Sequence, residues 1–169
     1  MKITRVLALT LAIGLMVAPS ALACTSQFGA CTSVSEIKRQ GVTPQVAQGG
    51  SASPQLAAMV LAETNGDRAK AGLPPLQHDE ELSRAAAVRA REIVQKFSHT
   101  RPNGEASATV HPRAKAENIA KGQQTVAKVM AAWMSSAGHR RNILRKSSTS
   151  VGICAYQSGG IMYWVQIFN

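Results

Sequence analysis

Three side chains of this 169-residue sequence have the chemistry of a small metal-binding or active site. His99 follows one helical stretch, Glu117 lies in the apolar phrase AENIA, and His139 follows another helical stretch. Two neutral imidazoles and a carboxylate can bind Zn²⁺ with one position left open, or can divide a proton between a base and an acid. The separations of 18 and 22 residues are too long for one helix, so spacing alone favours unrelated surface and core residues.

A serine near the second histidine suggests a different chemistry. Ser136 precedes His139 by three residues, within one helical turn, and Glu117 could orient the imidazole of a serine hydrolase. The local sequence SSAGH is, however, not a G-x-S-x-G nucleophile elbow. A serine in the last turn of a helix more often bonds to the backbone. The sequence therefore favours binding over catalysis, with Ser136, Glu117 and His139 as the catalytic candidates.

The N-terminus is typical of an exported protein. Lys2 and Arg5 precede an apolar run and then small residues, which predicts a secretory signal peptide over residues 1–23. The mature chain then begins at Cys24, and acylation of Cys24 is the alternative, although Ala21 stands where a lipoprotein signal prefers leucine. We expect a secreted protein, extracellular or periplasmic, attached to a membrane only if Cys24 is lipidated.

The three cysteines cannot all pair within one chain in an oxidising compartment. A disulfide between Cys24 and Cys31 would leave Cys154 as a buried thiol in a strand. Lipidation of Cys24 would instead free Cys31 to pair with Cys154. Because the odd cysteine permits a disulfide dimer without requiring one, the sequence does not fix the oligomeric state.

The chain is strongly basic, with 19 Lys and Arg residues against 9 Asp and Glu. Removal of the leader takes away two of the basic residues and leaves a net charge of about +8. In an exported protein this charge favours anionic envelope polymers or lipid head groups as partners and argues against nucleic acid. The densest basic segment is HRRNILRK, with Arg140, Arg141, Arg145 and Lys146. A solvated basic face without a partner is the alternative.

Composition divides the mature chain into a tether and one domain. Residues 24–53 are rich in Gln, Ser, Gly and Thr and lack periodicity, which predicts a flexible tether. Residues 54–169 are long enough for a single domain. Its first helix starts at the cap Ser53 and stops at Gly72.

Two further helices and a hairpin follow in this domain. Asp79 caps a helix whose apolar face is formed by Leu82, Ala86, Ala90, Ile93 and Phe97. Thr125 caps a third helix, which Gly138 ends. Residues 151–155 and 161–167 alternate in polarity around a Ser-Gly-Gly turn, which predicts an antiparallel hairpin and an α+β layered sandwich.

Five motifs follow one another in an order that resembles a known family. They are NGDRAKAGLPPL (65–76), FSHTRPNG (97–104), AENIAKG (116–122), AAWMSSAGHRRNIL (131–144) and VGICAY with YWVQIF near the end. Together they are similar to the bacterial branch of the CAP superfamily, also called the SCP domain or the cysteine-rich secretory, antigen 5 and pathogenesis-related-1 group. The resemblance covers residues 54–169. It implies an α+β fold, a three-layer α-β-α sandwich with a central antiparallel sheet and a large surface cavity.

The resemblance also implies which residues line that cavity. In eukaryotic relatives two histidines and two acids line it, and some of these proteins bind a divalent metal. The matching positions are His99, Glu117 and His139, whereas the second acid is replaced by Ser136. We therefore expect His99, His139 and Glu117 as metal ligands, with Zn²⁺ or another divalent cation as a cofactor that the sequence does not require.

The function that follows from these expectations is binding outside the cell or at its envelope. The first hypothesis is a non-enzymatic extracellular module that binds a lipid, an envelope component or a host protein and has a divalent-metal cavity. The alternative is a metal-assisted or serine hydrolase or protease that uses the same cavity. A third hypothesis is a structural envelope protein with a vestigial cavity.

Overall fold

The computed structural model of the protein describes residues 50–169. The predicted signal peptide, Cys24 and Cys31 lie outside the described residues, as do residues 24–49 of the predicted tether. The end of that tether, Gly50–Ala52, forms a short strand and so joins the sheet of the domain. None of the helices within residues 50–169 is long and apolar enough to cross a membrane.

Four α-helices and five strands make up the described part of the chain. In chain order they are β1 (Gly50–Ala52), α1 (Pro54–Lys70), β2 (Gln77–His78), α2 (Glu80–Gln95), β3 (Ala116–Lys121), α3 (Val126–Ser135), α4 (Ala137–Ile143), β4 (Ser150–Ser158) and β5 (Ile161–Phe168). A 3-10 turn at Ser107–Val110 lies between α2 and β3.

Local side-chain chemistry starts three of the helices where the sequence predicts it. Ser53, Asp79 and Thr125 each accept a hydrogen bond from the backbone N–H three residues later, at 3.3, 3.0 and 3.2 Å. Each bond satisfies one of the N–H groups that a helix start leaves without a partner. Gly72 has a φ of 70° just after α1 and ends that helix, as expected.

The predicted end of the third helix is wrong. The helix α3 ends at Ser135, and Gly138 lies inside the additional short helix α4. A glycine stops a helix where its backbone takes a positive φ, and Gly138 is not among the glycines that do so. The break lies instead at Ser136, whose φ of −88° and ψ of 121° are extended. His139 therefore sits on α4 rather than after a helix.

The sheet has the strand order β1-β4-β5-β3, and β2 pairs with the opposite end of β4. The neighbours along this path are antiparallel, whereas the two-residue pairing of β2 with β4 is parallel. The predicted hairpin is present as β4 and β5, and Gly159 and Gly160 form its turn with φ of 56° and 74°. Glycine adopts such angles without strain, so Gly-Gly suits a tight hairpin turn.

Each face of the sheet carries its own layer of helices and its own core. Ile153 and Trp164 belong to the core beneath α1, α3 and α4, whereas their neighbours Cys154 and Val165 belong to the core beneath α2. This alternation follows from the period of two along a strand. The predicted α+β, three-layer α-β-α sandwich with a central antiparallel sheet is confirmed.

The face of α2 is buried as predicted, except at its end. Leu82, Ala86, Ala90 and Ile93 are at most 1% exposed, but Phe97 is 49% exposed because it lies beyond the last residue of the helix. The start of α2 lies directly against β4 at a glycine. A Cβ atom on Gly152 would be 2.0 Å from the carbonyl carbon of Leu82. Glycine at this position therefore allows α2 to approach the sheet and to carry its functional side chains close to β3.

Candidate functional site

A buried ion pair between two layers of the sandwich forms the base of the site. β3 places Glu117 against α2, where Arg89 Nε donates to Glu117 Oε2 at 2.6 Å and Arg89 Nη2 donates to Oε1 at 3.4 Å. The side chain of Arg89 is fully buried, and that of Glu117 is 3% exposed. Burial alone would lower the pKa of Arg89, but hydrogen bonds to Glu117 and Glu92 more than offset it, and the pKa is raised.

The same arginine fixes the segment that carries the first histidine. Arg89 Nη2 donates to the carbonyl oxygen of Ser98 at 2.7 Å, and Nη1 pairs with Glu92. Glu92 also accepts from Arg101 at 2.8 and 3.1 Å. Burial would raise the pKa of Glu92, but its bonds to Arg101 and Arg89 lower it. Residues 98–101 are thus held on both sides of His99.

His99 projects from this fixed segment toward solvent, with 58% of its side chain exposed. Its Nδ1 lies 2.8 Å from Glu117 Oε1. An ionised carboxylate can only accept a hydrogen bond, so Nδ1 carries a proton, and the lone pair of a neutral ring is then on Nε2. Glu117 therefore fixes both the orientation and the tautomer of His99.

His139 approaches the same place from the opposite layer, on α4. Burial, and then repulsion by His99, lower the pKa of His139. His99 bonds to Glu117 and the backbone of His139 bonds to Asn118, so both histidines lie beside the same part of β3, although they come from different faces of the sheet. A lowered pKa keeps His139 neutral at neutral pH, with a lone pair available.

A row of buried amides attaches α4 to the edge strand β3. Asn142 Nδ2 donates to Asn118 Oδ1 at 2.9 Å, and Asn118 Nδ2 donates to Gln166 Oε1 at 3.1 Å and to the His139 carbonyl at 3.2 Å. Gln166 in turn donates to Thr64 on α1 at 2.8 Å. The backbone of His139 is thus positioned by side chains of the sheet, because buried amides must find partners.

Side chains also bond to the backbone of β3 itself. Asn142 Nδ2 donates to the carbonyl oxygen of Glu117 at 3.2 Å. Trp133 Nε1 donates to the carbonyl oxygen of Ile119 at 3.3 Å. Since β3 is the last strand on its side of the sheet, these bonds come from α3 and α4 rather than from another strand.

The predicted residues converge, but they do not form the predicted three-ligand site. Within residues 50–169, no group of three or more His, Cys, Asp or Glu side chains is arranged to hold a metal ion. Both oxygens of Glu117 are already bound to Arg89 and His99, so Glu117 is placed to orient His99 rather than to bind a metal ion itself.

The serine relay that a hydrolase would need is not assembled in the described part of the chain. Ser136 lies in the extended link between α3 and α4 and makes no side-chain hydrogen bond to His139 there. Glu117, the residue expected to orient His139, is bound to His99 instead. Ser136, His139 and Glu117 are therefore near one another without forming a nucleophile, base and orienting acid.

A mostly apolar groove lies away from both histidines. It has a volume of about 480 Å³ and lies between α1, the start of α2 and β4, with Leu61, Ala87 and Cys154 among its mostly apolar lining residues. His99 and His139 do not line it. Cys154 is a buried thiol in β4, which is one of the two alternatives that the sequence leaves open, and burial raises its pKa to about 11.

Sequence reasoning missed the charged residues beneath the site. Arg89 lies three residues after Ala86 and four before Ile93, which places it on the apolar stripe of α2. An arginine on such a stripe needs a buried acid as partner, and this signal indicates that a partner exists without showing which acid it is. Glu92 and Arg101 carry no comparable signal in the sequence.

Comparison with known proteins shows which family this chain resembles. The family model for CAP, the cysteine-rich secretory protein family, matches residues 61–168. The uncharacterized protein YkwD of Bacillus subtilis is 40% identical over an alignment of 117 residues, and the match covers 64% of this chain and 45% of that protein. The chain thus spans less than half of that relative's length.

Solved structures share the fold at low identity. An outer surface protein from Borrelia burgdorferi has a TM-score of 0.64 at 19% identity, and the match covers 71% of this chain and 97% of that one. An extracellular SCP-domain protein from Bacillus anthracis has a TM-score of 0.61 at 24% identity, with 68% and 40% covered. NaASP2, crystallised with Zn²⁺, has a TM-score of 0.55 at 15% identity, with 70% and 80% covered.

Proposed function

Since the chain belongs to the CAP family of cysteine-rich secretory proteins, we propose that it is a non-enzymatic extracellular binding module whose His99 and His139 bind a divalent cation. Its N-terminal sequence has the features of an export signal. Relatives of the same fold are an outer surface protein and an extracellular protein. Zn²⁺ is the favoured cation because imidazole nitrogen suits it and because NaASP2 was crystallised with it.

The observation that carries this proposal is the hydrogen bond between His99 Nδ1 and Glu117 at 2.8 Å. A histidine that binds a metal commonly donates its second ring nitrogen to a carboxylate, which orients the ring. His99 already has this arrangement, with an exposed ring and a buried carboxylate. Arg89 keeps that carboxylate in place from below. Bound Zn²⁺ would supply an open coordination position for an oxygen atom of a partner.

Binding is favoured over hydrolysis because the groups that would activate a nucleophile have other partners. Glu117 is committed to Arg89 and His99, and Ser136 is on an extended link. A metal-assisted hydrolase remains the alternative use of the same two imidazoles. The structural-protein hypothesis predicts neither metal binding nor turnover.

Zn²⁺ titration by calorimetry of the purified protein tests the proposal. We expect His99→Ala and His139→Ala each to weaken Zn²⁺ binding by at least about tenfold, because each removes a nitrogen ligand. His78→Ala and His111→Ala are matched controls, since both histidines lie elsewhere in the fold and should leave binding unchanged. Equal losses in all four variants, or no binding by the unaltered protein, would reject the imidazole pair as the site.

Turnover measurements separate binding from hydrolysis. The protein is incubated with a peptide and ester library, with and without Zn²⁺. We expect the unaltered protein to show no more turnover than the His99→Ala and Ser136→Ala variants. Turnover that is lost in Ser136→Ala but kept in Ser135→Ala would identify a serine hydrolase. Turnover that requires Zn²⁺ and both histidines would identify a metal-assisted one.

A further inference from the structure

We propose that Lys115, Arg141, Arg145 and Lys146, here called the cationic platform, bind a phosphate-bearing polymer of the cell surface. The platform is separate from the imidazole pair, and its binding does not require a metal. It combines the end of α4, the loop that leads to β4 and the residue just before β3. Arg145 Nη1 donates to the carbonyl oxygen of Lys115 at 3.4 Å, which brings the two segments together.

The charge of the platform is not neutralised by neighbouring acids. The 52 residues after Glu117 contain six Lys and Arg residues and no Asp or Glu. Within residues 50–169 no platform residue forms a salt bridge, although many basic residues elsewhere do. Those paired residues are Lys70, Arg84, Arg89, Arg101 and Arg113. An unopposed group of cations on one side of a domain attracts a polyanion over distances of about a Debye length.

The platform is also held rigidly from beneath. Arg68 on α1 is fully buried and donates to the carbonyl oxygens of Ile143 at 2.8 Å, Arg145 at 3.0 Å and Ser148 at 3.4 Å. The loop that carries Arg145 and Lys146 is therefore fixed by its backbone while its side chains remain outside. A fixed group of charges loses less conformational entropy on binding than a flexible one.

The surroundings of the platform favour a polymer over a membrane. Peripheral membrane proteins insert apolar side chains beside their basic residues. The large apolar side chains that are exposed in residues 50–169 are Met59, Val88 and Phe97, and none is in the platform. Ile143, between Arg141 and Arg145, is fully buried. Arginine forks match the oxygens of phosphate, and a flexible chain of phosphates can follow several of them in turn.

Binding to long-chain inorganic polyphosphate, measured by fluorescence anisotropy over a range of salt concentrations, tests the platform. The double variant Arg141→Gln/Lys146→Gln removes two exposed charges that make no described hydrogen bond or salt bridge. We expect at least about tenfold weaker binding at low salt. A plot of the logarithm of the association constant against the logarithm of the salt concentration has a negative slope. The magnitude of this slope should be smaller by about 1.4 to 1.8 in the double variant, because two fewer phosphates are neutralised.

The matched control is Arg91→Gln/Lys96→Gln, which removes the same charge from exposed positions at α2 on the opposite face. This control should bind polyphosphate within about twofold of the unaltered protein. Equal weakening by the two double variants would mean that only net charge matters and would overturn the platform. Tighter binding to phosphatidylglycerol vesicles than to polyphosphate would overturn the choice of a polymer. Unchanged polyphosphate binding by His99→Ala, with Zn²⁺ binding lost, would separate this surface from the imidazole pair.

Discussion

Arg89 and Glu117 are the residues on which the site depends most directly. Both are almost completely buried, and the bond between them is 2.6 Å long. Removing two charges from water is costly, and their attraction compensates for it only when both partners remain. Because Glu117 also fixes His99, loss of Arg89 affects stability and site geometry together.

Substitution Arg89→Met should therefore lower the free energy of unfolding by about 3 to 5 kcal/mol, since it leaves a buried carboxylate without its partner. Urea denaturation followed by circular dichroism measures this loss. Arg84→Met is the matched control on the same helix, where the exposed pairs with Glu80 and Glu81 are worth less than about 1 kcal/mol. The double variant Arg89→Met/Glu117→Gln should recover part of the loss. Equal effects of Arg89→Met and Arg84→Met would contradict the buried-pair argument.

His99, Glu117 and His139 are candidates in the sequence because imidazole and carboxylate side chains stand out in motifs with a recognisable order. His99 and Glu117 are hydrogen-bonded to each other, but the sequence did not show that Glu117 is also bound to Arg89. Buried charge pairs join residues that are far apart in the chain, here 28 positions, and no local pattern records such a distance. The role of Glu117 therefore had to come from the three-dimensional arrangement.

At the scale of elements, α2 is the helix whose position the sheet controls most tightly. Gly152 lets its first turn lie against β4, and Asp79 caps it. Arg113, from the segment before β3, donates to Asp79 at 2.6 and 3.0 Å. The start of α2 is thus fixed by packing on one side and by a charged hydrogen bond on the other.

Gly152→Ala should destabilise the protein by about 3 kcal/mol or more, because the new methyl group meets backbone that cannot move without shifting α2. Thermal unfolding measures the effect. Gly66→Ala is the matched control, because Gly66 lies inside α1 with nothing within 4 Å of the added carbon. That change should stabilise the helix by about 0.5 to 1 kcal/mol. An unchanged unfolding temperature in Gly152→Ala would mean that the close approach of α2 to β4 does not contribute to stability.

The cap at Asp79 should give a defined pH dependence. The hydrogen bond from Arg113 is the main reason why the pKa of Asp79 is lowered to about 2. A carboxyl group whose pKa is lower in the folded than in the unfolded chain stabilises the fold above about pH 4. This contribution to the free energy of unfolding is lost as the pH falls toward 2. Asparagine can still cap the helix, so Asp79→Asn removes mainly the charge. We expect Asp79→Asn to cost about 1 kcal/mol at pH 7.

Urea denaturation at a series of pH values measures this difference, which should shrink between about pH 4 and pH 2. Lys70→Gln is a control, because it removes an exposed pair with Asp67 and should show no such trend. A difference between Asp79→Asn and the unaltered protein that stays constant down to pH 2 would contradict the assignment.

The helix starts that have a capping residue in the sequence were predicted, whereas the short helix α4 was not. Ser53, Asp79 and Thr125 start helices because a cap acts on a residue only three positions away. The helix α4 was missed because Gly138 was interpreted as a stop, although its backbone is not in the positive-φ region. A glycine does not end a helix when the residues after it form another helix with its own contacts. Here Asn118 bonds to the backbone of His139 and to Asn142, which attaches α4 to β3.

At the scale of the whole molecule, two cores on opposite faces share one sheet. Cys154 lies in the middle of it, is 4% exposed and has a pKa raised to about 11 by burial. We expect iodoacetamide to label Cys154 at pH 8 more than about 100-fold more slowly than an exposed thiol, since the thiolate is the reactive form. Peptide mass spectrometry over time measures the rate at this cysteine alone.

Gln95→Cys provides the exposed comparison within the same protein, at the end of α2. Addition of urea should raise the labelling rate at Cys154 along the same curve as the loss of circular dichroism, because the thiol becomes accessible only when the sandwich opens. Fast labelling of Cys154 in the folded protein would show that the groove between α1 and β4 admits reagents to the core.

The bonds from Asn142 and Trp133 to the carbonyl oxygens of Glu117 and Ile119 have a consequence for solubility. A terminal strand with open carbonyl groups can pair with a strand of another molecule and start aggregation. Here the residues around the imidazoles occupy those groups. The side chains beside the proposed site are thus also the ones that cover this edge of the sheet. Replacement of Asn142 or Trp133 would leave these carbonyl groups open to a strand of another molecule, whether or not the site binds a ligand.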